Sequence, residues 1–364
     1  MKIMTILGTR PEIIRLNLII KKLDKTCDHI LVHTGQNYDK NLSEIFMEEL
    51  RVRKPNYYMG AKGSFGKQIA IIMKQAEEIM LKEKPDKFLV LGDTNSSLAG
   101  IMAKRLHILV YHMEAGNRSY SDMVPEEINR RLIDHSSDIL LPYTRNGRQA
   151  LLREGINKEK IIVTGNPINE VINYYREQIS SSKILSRFGI QKGKYFLVTM
   201  HREENVDNER RLTEYVLAIN NIWEIYKLPL LISLHPRTRR KMKEFELKFN
   251  DKVIISEPLG FFDFVHLELN SKCILTDSGT VLEEACILKI PNLIIRDVTE
   301  RPEVLGVGSS YITRADSKNI LKLVKIVLSR KPDWSPPSEY MAKNVSDTVV
   351  RILLDRRKSN DNWS

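Results

Sequence analysis

Lys2-Ile3-Met4-Thr5-Ile6-Leu7-Gly8-Thr9-Arg10-Pro11-Glu12 sets an apolar run against a glycine, a small hydroxyl residue, an arginine and a proline. A short apolar run closed by a turn signal reads as a buried strand, and a proline just beyond it reads as the first turn of a helix. The same rhythm recurs along the chain. Candidate strands fall at 2–7, 30–33, 88–91, 109–113 and 161–163, then at 195–200, 230–234, 253–255, 273–276 and 293–295, with helical stretches such as 209–226 between them. Strands alternating with crossover helices build parallel sheets, so the expected fold is α/β, two Rossmann-like doubly wound domains facing a cleft. Gly165-Asn166-Pro167 and the polar stretch through Ser180-Ser181-Ser182 interrupt the rhythm. They divide the chain into 1–168, 169–336 and 337–364, the last carrying a helical stretch at 338–354 that its residues alone assign to neither half.

With 364 residues, 42% of them hydrophobic, the chain can bury a large core, and disorder is not expected. The apolar run at the start is too short for a signal peptide and no run suits a membrane span. Cys27, Cys273 and Cys286 have no C-x-x-C spacing. Neither a disulfide framework nor a zinc site is suggested, and a reducing cytoplasmic location is expected. The net charge of +11 admits nucleic acid, an anionic membrane or an anionic small molecule. Its basic clusters, Arg237-Thr238-Arg239-Arg240-Lys241 and Arg356-Arg357-Lys358, are short and lack interleaved aromatic residues. They read as solvated surface, so no nucleic-acid or membrane partner is expected.

The polar clusters collect where the apolar runs end. They are Gly8 to Glu12, His33-Thr34-Gly35-Gln36-Asn37, Gly92-Asp93-Thr94-Asn95-Ser96, Glu114-Ala115-Gly116-Asn117-Arg118, His201-Arg202-Glu203-Glu204-Asn205, His235-Pro236-Arg237 and Asp277-Ser278-Gly279-Thr280. Ligands of doubly wound sheets bind beyond the carboxyl ends of the strands, which is where these clusters lie. Asp277-Ser278-Gly279-Thr280 precedes a helix whose first N–H groups suit a diphosphate, and Thr280 with Glu283 also matches a capping box. Glu284 suits a ribose diol or, equally, a first-turn acid. Gly8-Thr9-Arg10-Pro11 offers close backbone approach and an arginine fork for phosphate. Asp93, Glu114, Glu126 and His201 supply three carboxylates and an imidazole for proton transfer on a sugar, although each also has an ordinary structural use. No G-x-G-x-x-G follows the first strand, so no nicotinamide or flavin cofactor is expected. Gly60-Ala61-Lys62-Gly63-Ser64-Phe65-Gly66-Lys67 looks like a phosphate loop, but Gln68 stands where Ser or Thr is required and no strand precedes it. A mobile loop is expected there.

Together these segments resemble the non-hydrolysing UDP-N-acetylglucosamine 2-epimerase family from Gly8 to Glu303. The shared motifs, in the family's order, include Thr34-Gly35-Gln36, Gly92-Asp93-Thr94, His112-Met113-Glu114-Ala115-Gly116, Pro125-Glu126-Glu127-Ile128-Asn129-Arg130, His201-Arg202-Glu203-Glu204-Asn205, Asp277-Ser278-Gly279 with Glu283-Glu284, and Thr299-Glu300-Arg301-Pro302. The resemblance implies a glycosyltransferase-B-type fold, a C-terminal helix returning to the first domain, a homodimer, a UDP-sugar substrate, and no cofactor or metal. It places Asp93, Glu114, Glu126 and His201 at catalytic positions. It places Arg10, Ser278, Gly279 and Glu284 at UDP-binding positions, Phe264 near uracil, and Arg15, Arg130, His235, Thr280 and Arg301 in the same substrate-binding set.

The reaction it implies suits the residues. A sugar C2 proton has no neighbouring carbonyl to acidify it, so elimination of UDP across C1 and C2, followed by re-addition, replaces simple deprotonation. Base and acid among the three carboxylates are left open. Asn117 stands where better-known members have leucine, Thr280 for a second glycine, Arg15 for lysine, Asn37 for histidine, and His235-Pro236-Arg237-Thr238 for His-Pro-Asn-Pro. These departures look like the branch that makes UDP-N-acetyl-L-fucosamine from UDP-2-acetamido-2,6-dideoxy-L-talose for capsule or O-antigen. That pair is expected ahead of UDP-GlcNAc and UDP-ManNAc, with allosteric activation by UDP-GlcNAc absent or altered. A glycosyltransferase of the same fold is the enzymatic rival, a hydrolysing epimerase would release free sugar, and a basic nucleic-acid-binding protein is the non-enzymatic one.

Overall fold

The computed structural model describes residues 1–36, 40–234 and 236–355, with the backbone alone at 40–43. The chain forms two compact units, Met1–Val171 joined by the segment from Ser338 onward, and Ile172–Pro337. Among the described residues, each unit is built on a six-stranded parallel sheet. In the first, β1 (Lys2–Leu7), β2 (Asp28–His33), β3 (Tyr57–Tyr58), β4 (Lys87–Leu91), β5 (Leu109–Met113) and β6 (Ile139–Leu141) lie in the order β3-β2-β1-β4-β5-β6. In the second, β7 (Phe196–Met200), β8 (Leu230–Leu234), β9 (Val253–Ser256), β10 (Cys273–Thr276), β11 (Asn292–Ile294) and β12 (Ser310–Ile312) lie in the order β12-β11-β10-β7-β8-β9. Counted from β7, the second order repeats the first. Both are the Rossmann arrangement, which reverses direction between β1 and β4 and between β7 and β10.

Side chains alternate across a strand. In the second unit Phe196, Val198, Leu230 and Ile232 pack with Leu212, Ile219 and Val324 on one face. Leu197, Leu231 and Ile274 pack with Leu267 and Val281 on the other. Both faces are therefore covered, which is why these strands read as continuous apolar runs. Truncating Leu197, which has no exposed surface, to alanine would cost about 2–5 kcal/mol.

The exceptions are short edge pieces. Residues 161–163 form no strand; Ile161 makes an isolated bridge to Leu140, and the Ile162 N–H donates to Leu140 O at 2.9 Å. The neighbouring strand is instead β6, cut to three residues by Pro142, which has no N–H to continue a ladder. The segment expected as a mobile loop at 60–67 runs into the helix Phe65–Glu83, and buried Gln68 donates to Gly63 O at 3.0 Å. The stretch 338–354 is a 3-10 turn, Ser338–Met341, followed by the helix Val345–Leu354. That helix packs on Arg10–Thr26, where Lys22 Nζ lies 2.7 Å from Asp347 Oδ1 and 2.8 Å from Ser346 Oγ. Lys87 Nζ donates to Leu353 O at 2.8 Å, a cation at the helix C-terminus, where the backbone dipole favours it.

Candidate active-site residues

In the first unit the turns after β1 and β4 are tied together. Gly8 admits no side chain, because a Cβ would collide with the hydroxyls of Thr34 and Ser96. Glu12, in the first turn of the helix Arg10–Thr26, is buried; its Oε2 accepts from Gly8 N at 2.8 Å and from Thr9 N at 2.7 Å. Its Oε1 accepts from Thr94 Oγ1, beyond β4, at 2.9 Å. Burial raises this carboxyl to about 7 despite those donors. Arg10 opens the same helix with its guanidinium 5.9 Å from the centre of the Phe46 ring.

Two strand-end acids of this unit are each held by an arginine. Glu114, directly after β5, has φ of 65°, a left-handed conformation that costs a non-glycine residue about 1–2 kcal/mol. Its Oε2 accepts from Arg15 NH1 at 3.0 Å and its Oε1 from Asn117 Nδ2 at 3.2 Å. Asp93 Oδ2 lies 2.5 Å from Arg130 NH2, and Asn129 Nδ2 donates to Asp93 O at 2.9 Å. Arg15 and Arg130 are both buried, so the structure sets these two expected substrate contacts against carboxylates.

Glu126 is half-buried in the first turn of the helix Pro125–Ser136, beside fully buried Glu127. Glu127 accepts from Ser119 N at 2.9 Å and Arg130 NH1 at 3.0 Å. Burial works to raise its carboxyl, but the Ser119 N–H and the Arg130 charge hold it below the ordinary value. One layer further in, His112 Nε2 donates to Gly92 O at 2.9 Å, and its Nδ1 lies 2.8 Å from Asp134 Oδ1. Asp134 Oδ2 accepts from Gly116 N at 3.1 Å. This pair fixes the backbone on both sides of the acids: Gly92 precedes Asp93, and Gly116 follows Glu114.

In the second unit His201 follows β7, its side chain 40% exposed. Its Nδ1 lies 3.1 Å from Asp277 Oδ1, at ion-pair distance. Asp277 follows β10 and is fully buried; its Oδ2 accepts from His201 N and Arg202 N, each at 2.9 Å. Burial would raise this carboxyl, yet the His201 charge and these donors hold it far below the ordinary carboxylate range. Ser278 occupies the N-cap position of the helix Gly279–Leu288 without a side-chain capping bond, and its Oγ lies 3.0 Å from Thr280 Oγ1. Thr280 thus stands inside the first turn, and the capping box read from Thr280 and Glu283 does not form. Glu283 is instead paired with Arg301. A Cβ on Gly279 would lie 2.7 Å from Glu300 Oε1, and Glu300 Oε2 accepts from Arg296 NH1 at 2.8 Å. Glu284 is buried, and Phe264 is half-buried on the helix Phe261–Asn270. His235 and Asn37 lie outside the described residues.

Asp93, Glu114 and Glu126 thus belong to the first unit and His201 to the second. Glu12, His112, Asp134 and Glu127 escaped the sequence reading as working residues. All four lie inside or beside its motifs; Glu12 meets Thr94 and His112 meets Asp134 only across long stretches of chain, whereas Glu127 pairs locally with Ser119 and Arg130. By sequence Asp277 belongs to a phosphate turn, whereas its side chain holds the His201 backbone.

A family model described as UDP-N-acetylglucosamine 2-epimerase matches residues 21–354. The UDP-N-acetylglucosamine 2-epimerase of Methanocaldococcus jannaschii is 43% identical over 97% of this chain and 99% of its own length. A crystal structure of the M. jannaschii enzyme with UDP-GlcNAc and UDP has a TM-score of 0.92, at 43% identity over 97% of this chain and 99% of that one. A UDP-2,3-diacetamido-2,3-dideoxy-D-glucuronate 2-epimerase of Pseudomonas aeruginosa is 38% identical over 91% of this chain and 93% of its own length. A spinosyn rhamnosyltransferase, 13% identical with a TM-score of 0.55 over 97% of this chain and 100% of that one, shares the two-domain α/β fold of glycosyltransferase-B type and nothing more. With strand-end acids in these frames and relatives that match end to end, the chain belongs to the UDP-N-acetylglucosamine 2-epimerase family and is an isomerase-type enzyme.

Proposed function

We propose that the chain inverts C2 of UDP-GlcNAc to give UDP-ManNAc, by anti elimination of UDP and its re-addition, without net hydrolysis. The observation that carries this reading is Glu114, a strained strand-end carboxylate held by Arg15 at 3.0 Å, in a chain 43% identical to a UDP-GlcNAc 2-epimerase. A carboxylate of the set Asp93, Glu114 and Glu126 takes the C2 proton as the C1–O bond to UDP breaks, leaving a C1=C2 glycal. UDP then adds back at C1 while a second group of the set delivers a proton to the opposite face of C2. Arg15 and Arg130 orient Glu114 and Asp93.

The second unit holds the nucleotide in this reading. Ser278, Gly279 and Thr280 offer helix N-terminal N–H groups to the diphosphate, Glu284 takes the ribose diol, and Phe264 lies against uracil. His201, braced by Asp277, stabilises the departing diphosphate with Arg10 and Arg301. A second copy of the chain is the partner, for which exposed Met123, Ile128 and Leu132 supply apolar surface.

The relatives at 43% and 40% identity, both UDP-GlcNAc 2-epimerases, bring UDP-GlcNAc ahead of the L-talose nucleotide sugar. Asn117 and Thr280 favour the latter as the second substrate to try. Proton NMR with UDP-GlcNAc in heavy water tests the proposal: the C2 proton signal should disappear as the manno epimer grows in. Exchange on the L-talose compound alone would move the substrate to that branch. Transfer of the sugar to an acceptor, with UDP accumulating, would replace the epimerase reading by a glycosyltransferase.

A further inference from the structure

Glu268 lies on the helix Phe261–Asn270 with no exposed surface, and no N–H or O–H donor of another described residue reaches either carboxyl oxygen. An unpartnered carboxyl in that position would be expensive to keep. Its contact is a second carboxyl: Glu268 is hydrogen-bonded to Glu284 of the helix Gly279–Leu288, itself only 4% exposed. Two carboxyls in hydrogen-bond contact share one proton, because both cannot be charged at that distance out of water. Burial first, and then the Glu284 charge, hold the proton on Glu268. Glu268 is thus the donor and Glu284 the carboxylate that accepts. One turn before Glu268 on the same helix face stands Phe264, at the i, i+4 spacing that brings side chains together.

We propose that Glu268 is a positioning residue for ribose recognition, its carboxylic acid holding Glu284 so that the Glu284 carboxylate accepts from the vicinal hydroxyls of the UDP ribose. This rests on the reading of Glu284 as the ribose contact. The helix Phe261–Asn270 then couples both ends of the nucleoside, Phe264 serving the base and Glu268 serving the sugar through Glu284. The pair carries a single negative charge, and the donor is an acid where an amide would ordinarily be used.

Calorimetric titration of UDP and 2′-deoxy-UDP into the full chain tests this, with folding of each variant checked by thermal melting. Glu268→Met, close in volume, should lose roughly 10-fold in UDP affinity, about 1.4 kcal/mol, while 2′-deoxy-UDP affinity holds, because the Glu284 carboxylate loses the donor that orients it. Glu268→Gln retains a donor toward Glu284 and should keep the wild-type preference for UDP to within about twofold. A Glu268→Met protein that keeps the preference while Glu284→Gln loses it overturns the proposal and leaves Glu284 as the ribose contact. If Glu284→Gln also keeps the preference, the ribose reading itself falls and the proposal with it. Should Glu268→Met fail to fold, Glu268→Gln decides: a lost preference for UDP overturns the proposal, and a retained one supports it.

Discussion

Glu12 in the first unit and Asp277 in the second solve the same structural problem with opposite electrostatics. Each is a buried carboxylate that accepts two consecutive backbone N–H groups in the turn after its sheet's first strand, Gly8 and Thr9 after β1, His201 and Arg202 after β7. Each also links that turn to the strand across the switch point, Glu12 through Thr94 beyond β4, Asp277 by its own position beyond β10. Among the described residues Glu12 makes no ion pair, and burial carries its carboxyl up to about 7. Asp277 faces His201 at 3.1 Å and is held far below the ordinary range. The first unit uses its buried cations elsewhere, Arg15 on Glu114 and Arg130 on Asp93. One topology therefore serves two kinds of charge, set by which residue carries the cation.

If the first unit's cations serve proton-transfer acids, Glu114→Gln should lower turnover by about 10²–10⁴-fold and leave UDP affinity almost unchanged. Deuterium exchange at C2 and UDP titration on the same sample would show it. A folded variant that no longer binds UDP would instead put Glu114 among the nucleotide contacts.

The next effect concerns the second unit's brace. Asp277→Asn keeps an acceptor but removes the charge facing His201, and should destabilise by about 1–3 kcal/mol in urea unfolding, because the imidazole left behind is partly solvated. The sign of its pH dependence follows from the depressed carboxyl. Its stabilisation is complete above the ordinary value of 3.8 and is lost as pH falls toward the lower folded value, so the variant should lose that acid limb. An unchanged acid limb would mean that other carboxylates carry it.

Glu12 should give the smallest effect, in the other direction. Its folded value of about 7 exceeds the ordinary 4.5, so its stabilisation is full below 4.5 and lost as pH rises through about 7. Glu12→Gln retains one oxygen for Gly8 and Thr9, and the Thr94 hydroxyl can turn to accept from the amide. Melting temperatures of the variant should be flatter than wild type across roughly pH 5 to 8. Parallel curves would show that the Gly8, Thr9 and Thr94 donors keep Glu12 ionised, and the contrast with Asp277 would disappear.

The α/β alternation, the strands from 2–7 to 293–295 other than 161–163, and the helix at 209–226 are legible because strands buried on both faces must be apolar throughout, and crossover helices carry their own period. The polar clusters are legible for a related reason: a strand-end turn in a doubly wound sheet has little use for Gly, Asp, Thr and His together unless its backbone or side chains bind something. Edge strands such as β3 and β12 are too short to carry a pattern. Charge partners are another matter. Arg15 and Glu114 are 99 positions apart, and nothing local in either segment names the other. The same holds for Lys22, whose contacts with Ser346 and Asp347 seat a last helix that its own residues assign to neither half. By itself the sequence determined which residue types stand at the strand ends, since burial and periodicity are local demands on the chain. Only the tertiary structure decided which acid meets a cation, which meets backbone N–H groups and which meets another acid, because those energies depend on distances between segments that the chain brings together only on folding.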